Sequence, residues 1–194
     1  TVGNEVHTVR YPNGGSSVSP VPLPYATSNV VVHDVNGDGM SDLLSLGTYL
    51  NFDGFQQNLG EAGPAFDTDL PRSYDTADDA ALMAVADVTG DGRADVLVLD
   101  EQLDVQLFTY STPGSGDLYF TAGATLDIAG ADQARSFVVA DVDLNGHPDL
   151  LVLTPSALHV RRMSATYGTF LATQTFTFSA NNMDRLTVSD WNGD

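Results

Sequence analysis

The same segment of about 14 residues occurs three times along this chain, and this repetition constrains the fold more than any other feature. The copies are residues 31–44 (VVHDVNGDGMSDLL), 84–97 (AVADVTGDGRADVL) and 138–151 (VVADVDLNGHPDLL), and a fourth begins at residues 187–194 (TVSDWNGD). Their leading aspartates are about 50 residues apart, a period that is typical of propellers, solenoids and arrays. We therefore expect a row of similar structural units.

Between the copies, the sequence predicts β-strands. Apolar residues alternate with polar ones or form short runs, and no stretch has a sustained helical period. In the second unit we predict strands over residues 82–86, 95–99, 105–110 and 120–126. Four strands per unit form a propeller blade, so the predicted fold class is all-β, a β-propeller of four-stranded blades. The predicted blade boundaries are 1–28 for a partial blade, then 29–81, 82–134 and 135–183, with 184–194 as the start of the next blade.

Aromatic and histidine residues recur at equivalent places in these units. Phe66, Phe120 and Phe170 each follow the leading aspartate of their unit by about 30 residues, next to a glycine-containing turn. We expect these phenylalanines to fill the core. His7 and His159 occupy equivalent positions in two related strands, which indicates a role in the scaffold and not in catalysis.

Each repeated segment contains a loop of the form D-x-[D/N/T]-x-[D/N]-G-x-x-D. Oxygen-bearing side chains stand at positions 1, 3, 5 and 9, and glycine at position 6 supplies the positive φ that a sharp turn needs. Calcium takes six to eight oxygen ligands, so this pattern predicts a Ca²⁺ site. Zinc or copper would recruit Cys or His, and neither recurs at the ligand positions.

The predicted ligands are the polar side chains of each loop together with the backbone carbonyl at position 7. They are Asp34, Asn36, Asp38, Met40 and Asp42 in the first loop; Asp87, Thr89, Asp91, Arg93 and Asp95 in the second; Asp141, Asp143, Asn145, His147 and Asp149 in the third; and Asp190, Asn192 and Asp194 in the incomplete fourth. Thr89 is the weakest of these ligands, so we expect the second loop to bind calcium least tightly. We expect the fourth loop to be empty or disordered.

Two other structures share part of this loop pattern. An EF-hand needs Glu at position 12 and flanking helices, whereas position 12 here is Ser45, Val98 or Val152, within apolar runs of β type. An ordinary solvated turn is also rich in Asp, Asn and Gly, but three copies at one spacing favour a metal site.

The charge of the chain restricts its partners. Acidic residues outnumber basic ones 26 to 7, and the formal net charge is -19, so nucleic acid and anionic membrane surfaces would repel this protein. No apolar run reaches the roughly 18 residues of a membrane span, so we expect no membrane insertion. Cysteine is absent, which excludes disulfides and thiolate metal sites.

The repeated loops resemble the FG-GAP/VCBS repeats, which form the calcium-binding blades of integrin α-subunit propellers and of many bacterial surface, toxin-associated and lectin-like proteins. Residues 62–66 (AGPAF) and 167–170 (YGTF) are loose relatives of the Phe-Gly and Gly-Ala-Pro signatures of that family. The resemblance implies bound Ca²⁺ as the cofactor and a scaffold for adhesion or recognition. It also implies that the blades present, about four, are part of a larger ring of roughly seven. A small four-bladed ring, in which residues 1–28 and 184–194 share one blade, is the alternative.

The expected function is a calcium-binding scaffold for recognition or adhesion, located extracellularly as a secreted or cell-surface protein. Its expected partners are a carbohydrate, in a lectin-like mode, or a protein, together with the remaining blades of a larger chain or other copies of this chain. The alternative is a structural propeller module of a larger toxin, adhesin or polysaccharide-active enzyme. We expect no enzymatic activity, because the acids outside the loops show no catalytic arrangement. Non-repeated acids outside the loops include Glu61, Asp78, Asp79 and Glu101.

Overall fold

The described part of the chain contains β-strands and no helices. The computed structural model describes residues 5–10, 17–23, 27–47, 51–55, 57–60, 63–66, 72–76, 80–111, 119–128, 133–179 and 183–189. The strands are β1 (Glu5–Arg10), β2 (Ser17–Pro22), β3 (Thr27–His33), β4 (Asp42–Gly47), β5 (Asn51–Phe55), β6 (Gln57–Gly60), β7 (Gly63–Phe66), β8 (Arg72–Asp75), β9 (Ala80–Ala86), β10 (Asp95–Asp100), β11 (Asp104–Tyr110), β12 (Phe120–Asp127), β13 (Ser136–Ala140), β14 (Asp149–Leu153), β15 (Ala157–Arg161) and β16 (Gln174–Thr177).

These strands form three antiparallel sheets of four strands each, in the orders β3-β4-β5-β8, β9-β10-β11-β12 and β13-β14-β15-β16. Two further pairs, β1-β2 and β6-β7, form two-stranded sheets. In each four-stranded sheet, one of the repeated loops joins the first strand to the second. The prediction of an all-β fold with four-stranded units is confirmed, and the strands of the second unit begin and end within two residues of their predicted positions.

The three sheets pack face to face in chain order. The second strand of the middle sheet, β10, is buried on both faces: Val96 and Val98 pack in a core shared with the first sheet. Leu97 and Leu99 point the other way, into a core shared with the third sheet. Because both faces are covered, β10 is a continuous apolar run, and each fully buried aliphatic side chain contributes about 1.5 to 3 kcal/mol.

The first strands of successive sheets also adjoin one another. Strand β3 contacts β9, and β9 contacts β13. Sheets that pack face to face with their first strands side by side have the arrangement of successive propeller blades. No helix in the described part of the chain is long and apolar enough to cross a bilayer.

Phe120 fills the core between the first and second sheets, as predicted. Its ring makes edge-to-face contacts with Tyr74 at a centroid distance of 5.3 Å and with Tyr110 at 5.8 Å. The Phe120 backbone N–H also donates to the Tyr74 hydroxyl at 3.1 Å. Phe170 packs against the core between the second and third sheets. The side chain of Phe66 lies outside the described residues.

His159 is a buried scaffold residue, in agreement with the sequence interpretation. Only 6% of its surface is exposed, and its Nδ1 is 3.2 Å from the Thr175 hydroxyl on the neighbouring strand β16. The His7 side chain lies outside the described residues.

Candidate metal centre

Each of the three described loops turns through two residues with positive φ, at positions 4 and 6. Position 6 is glycine in all three described loops, with φ between 81° and 85°, which confirms the predicted turn. Position 4 is Gly37 in the first loop and Gly90 in the second, but Leu144 in the third, where φ is 58°. The second turning point was missed from the sequence because leucine rarely adopts this conformation.

We expect Leu144→Gly to stabilise the protein by up to about 1 kcal/mol, because leucine pays a steric cost in this conformation and glycine does not. The Leu144 side chain is 76% exposed, so little packing is lost. Leu103 has a similar φ of 67° but is fully buried, so it is a matched control. Leu103→Gly should lower the free energy of unfolding by about 2 to 5 kcal/mol. Urea denaturation in EDTA measures the free energy of unfolding of both variants. A loss of stability in Leu144→Gly would contradict the claim that the Leu144 backbone is strained.

The aspartate at position 1 accepts hydrogen bonds from N–H groups of its own loop. Asp34 Oδ1 and Oδ2 accept from positions 4 and 6, each at 2.8 Å. Asp87 makes the same two bonds at 2.6 and 2.8 Å. Asp141 accepts from positions 5 and 6 at 3.1 and 2.7 Å. These bonds fold the loop around the carboxylate.

The aspartate at position 9 joins three parts of its blade. Asp42, Asp95 and Asp149 are fully buried at the start of the second strand. Their Oδ2 atoms accept from the N–H at position 2 at 3.1, 3.0 and 3.0 Å respectively. Oδ1 of Asp95 accepts from Tyr110 N–H at 3.2 Å, and Oδ1 of Asp149 accepts from Met163 N–H at 2.8 Å. In the second blade, this carboxylate therefore ties the loop to the third strand of the sheet, and in the third blade it ties the loop to Met163, which lies beyond β15.

Asp95 accepts further hydrogen bonds from Thr89. Thr89 donates to it from its backbone N–H at 3.1 Å and from its side chain. Burial raises the pKa of Asp95, and the hydrogen bonds from Tyr110, Val88 and Thr89 oppose that rise because they stabilise the charged form. The predicted ligand Thr89 thus bonds to a second predicted ligand.

The third loop gathers three of its predicted ligands. Asp141, Asp143 and Asp149 each offer a carboxylate oxygen, and these oxygens lie within 4.8 Å of one another. Calcium ligands stand 2.3 to 2.6 Å from the ion, so two of them are separated by at most about 5 Å. The spacing and the hard oxygen donors therefore fit a calcium ion. Among the described residues, no other group of three acidic or histidine side chains meets this criterion, including those of the first two loops.

The other predicted ligands of the third loop are Asn145 and the carbonyl of His147. Asn145 Oδ1 accepts from the N–H of His147 at 2.8 Å, and Asn145 Nδ2 donates to the carbonyl of Met163 at 3.1 Å. The His147 side chain is not part of the acidic group. Asp190, Asn192 and Asp194 of the fourth loop lie outside the described residues.

Arg162 is a neighbour of this group that sequence reasoning missed. Its Nη1 is 3.5 Å from Oδ2 of Asp143, so the guanidinium neutralises part of the charge of the acidic cluster. The two residues come from different segments of the third blade, and the loop pattern carries no signal for the pairing. A cation that binds Asp143 has to compete with this arginine.

Comparison with known proteins places these loops in a family. A family model described as an FG-GAP-like repeat matches residues 34–98 and 87–152, which together are more than half of the chain and include the three described loops. None of the curated proteins matches the chain. Among solved structures, a Tc holotoxin pore from Photorhabdus luminescens is similar, with 18% sequence identity and a TM-score of 0.47 over 90% of this chain. The chain spans 9% of the length of that toxin chain.

Proposed function

The chain belongs to the FG-GAP-like repeat family, and from this premise we propose that it is a calcium-binding β-propeller module that acts outside the cell as a scaffold for recognition or adhesion. The observation that carries the proposal is the third loop, where three carboxylates present oxygens within 4.8 Å of one another. These three carboxylates repel one another until a cation binds, and the net charge of -19 adds to that repulsion.

In the third loop, Asp141, Asp143 and Asp149 would hold the ion, with Asn145 and the carbonyl of His147 completing the set. When bound, Ca²⁺ supplies a divalent positive charge that links loop positions to one another. Asp149 already joins the loop to the segment that follows β15 through the N–H of Met163. An ion held by Asp149 therefore fixes the loop to the body of the blade, and a rigid loop can present a binding surface.

Sites of this kind in extracellular modules bind calcium with Kd on the order of 10⁻⁴ to 10⁻³ M, so they fill outside the cell and stay empty in the cytosol. This range supports the extracellular location in our proposal. Calcium calorimetry on EDTA-treated protein tests it. We expect binding in this range and the loss of one site in Asp141→Ala. Submicromolar binding at all sites would contradict the location, and no binding heat would contradict the calcium site.

The partner in this proposal is a carbohydrate or a protein. Tyr74 and Tyr110 pack in the core, so they are not available as stacking platforms for sugars. Tyr167, beside the third loop, is 40% exposed, and Leu144 of that loop is 76% exposed. An amphipathic aromatic beside a rigid metal loop suits either kind of partner. A glycan array on the calcium-loaded protein separates the two, because a protein-specific scaffold would bind no glycan.

A second candidate function is a structural module of a larger toxin, adhesin or polysaccharide-active enzyme. It is favoured by the valine at loop position 2. Val35 and Val88 are fully buried because the next sheet covers them, whereas Val142 of the third sheet is 39% exposed. The third sheet thus offers the same face to a further blade, from a longer chain or from another copy. The intact mass of the native protein tests this candidate, since a larger chain should greatly exceed 20.5 kDa.

A further inference from the structure

Tyr167 lies between two metal loops of adjacent blades. Its ring packs edge-on against the His147 ring of the third loop, with centroids 4.3 Å apart and an angle of 80° between the planes. On its other side the ring rests on Gly90 of the second loop. A Cβ atom added to Gly90 would lie only 2.6 Å from the Tyr167 Cγ, so this close approach requires glycine.

The turn that carries Tyr167 is fixed to the third loop. It lies between Met163 and Phe170, which form an isolated antiparallel bridge. Met163 is held from both sides, since its N–H donates to Asp149 at 2.8 Å and its carbonyl accepts from Asn145 at 3.1 Å. Both partners of Met163 are predicted calcium ligands, so the position of Tyr167 depends on the arrangement of the third metal loop.

Gly90, the residue of the second loop that Tyr167 contacts, also holds the leading aspartate of that loop. The N–H of Gly90 donates to Asp87 Oδ1 at 2.6 Å. A ring resting on Gly90 restricts the conformations of this turn. A loop that is already restricted loses less entropy when it closes around an ion, and therefore binds that ion more tightly.

We propose that Tyr167 is a positioning residue that couples the two loops, so that calcium in the third loop raises the calcium affinity of the second. This inference rests on the proposed function, because it requires both loops to bind calcium. Coupling between sites typically changes affinity by five- to 150-fold, and a single ring contact belongs at the lower end, about fivefold. The coupling is reciprocal, so calcium in the second loop raises the affinity of the third by the same factor.

Calcium titrations followed by NMR test the coupling loop by loop. The amide resonance of Gly92 reports on the second loop, and that of Gly39 on the first. Asp141→Ala removes a carboxylate from the third loop. We expect it to weaken calcium binding by the second loop, measured at Gly92, about fivefold, while binding by the first loop, measured at Gly39, stays unchanged. In a Tyr167→Ala background, Asp141→Ala should leave the affinity at Gly92 unchanged. Tyr167→Phe keeps the ring and should behave like the unmodified protein.

The outcomes separate this inference from the proposed function. If the Gly92 resonance responds to calcium but Asp141→Ala leaves the calcium affinity of the second loop unchanged, the loops are uncoupled and the inference is wrong. If the dependence on Asp141 survives in Tyr167→Ala, another contact carries the coupling and Tyr167 is not the positioning residue. If no loop responds to calcium, the proposed function itself fails, and the inference fails with it.

Discussion

Asp95→Ala should lower the free energy of unfolding by at least about 3 kcal/mol, both in EDTA and in calcium. The Asp95 carboxylate is fully buried and accepts hydrogen bonds from the N–H groups of Val88, Thr89 and Tyr110 at 3.0 to 3.2 Å. Removing it leaves these donors without a partner, and each unsatisfied buried donor costs about 1 to 3 kcal/mol. Urea denaturation of the variant and the unmodified protein, each with and without calcium, measures the loss.

Asp91→Ala is the matched control in the same loop. Asp91 is exposed and accepts from the N–H of Arg93 at 2.9 Å, so in EDTA its removal should change stability by no more than about 0.5 kcal/mol. In calcium, both variants lose a predicted ligand. A loss for Asp95→Ala that appears only in calcium would mean that position 9 acts chiefly as a metal ligand, as the loop pattern alone predicts.

The two roles of position 9 show why the sequence could predict the loop but not its full chemistry. The loop pattern predicts the aspartate there as a calcium ligand, but the same carboxylate oxygens suit buried backbone N–H groups equally well. Only the fold shows that Asp95 bonds to Tyr110 of the third strand and that Asp149 bonds to Met163, beyond the end of the third strand. The fixed spacing predicted the residues involved, whereas the hydrogen bonds depend on strands that meet only after folding.

Periodic features were predictable, and contacts between segments were not. The repeat and the period-two alternation predicted the bounds of strands β9 to β12 closely, because both signals can be recognised in the local sequence. The contacts of Tyr167 with Gly90 and of Arg162 with Asp143 join separate segments, and no local pattern encodes them.

The melting temperature in 10 mM calcium chloride should exceed that in EDTA by roughly 5 to 10 °C, if one site with a Kd of about 10⁻⁴ M is filled. At 100 times Kd, a ligand that binds only the folded state adds about 2.7 kcal/mol of stability. The third loop meets that condition, because Asp141, Asp143 and Asp149 converge only in the folded chain. Calorimetric melts of EDTA-treated and calcium-loaded protein measure the shift.

Screening also stabilises a chain with a net charge of -19, so salt has to be separated from site binding. Sodium chloride at matched ionic strength supplies the screening alone, and the calcium shift should exceed the sodium shift. Asp143→Ala removes one ligand from the third loop along with one negative charge, so it should melt no lower than the unmodified protein in sodium chloride but gain less from calcium. Equal melting temperatures in calcium chloride and sodium chloride would mean that the loops are acidic turns that bind no calcium. A shift in melting temperature that saturates with calcium and is smaller in Asp143→Ala identifies binding at the third loop.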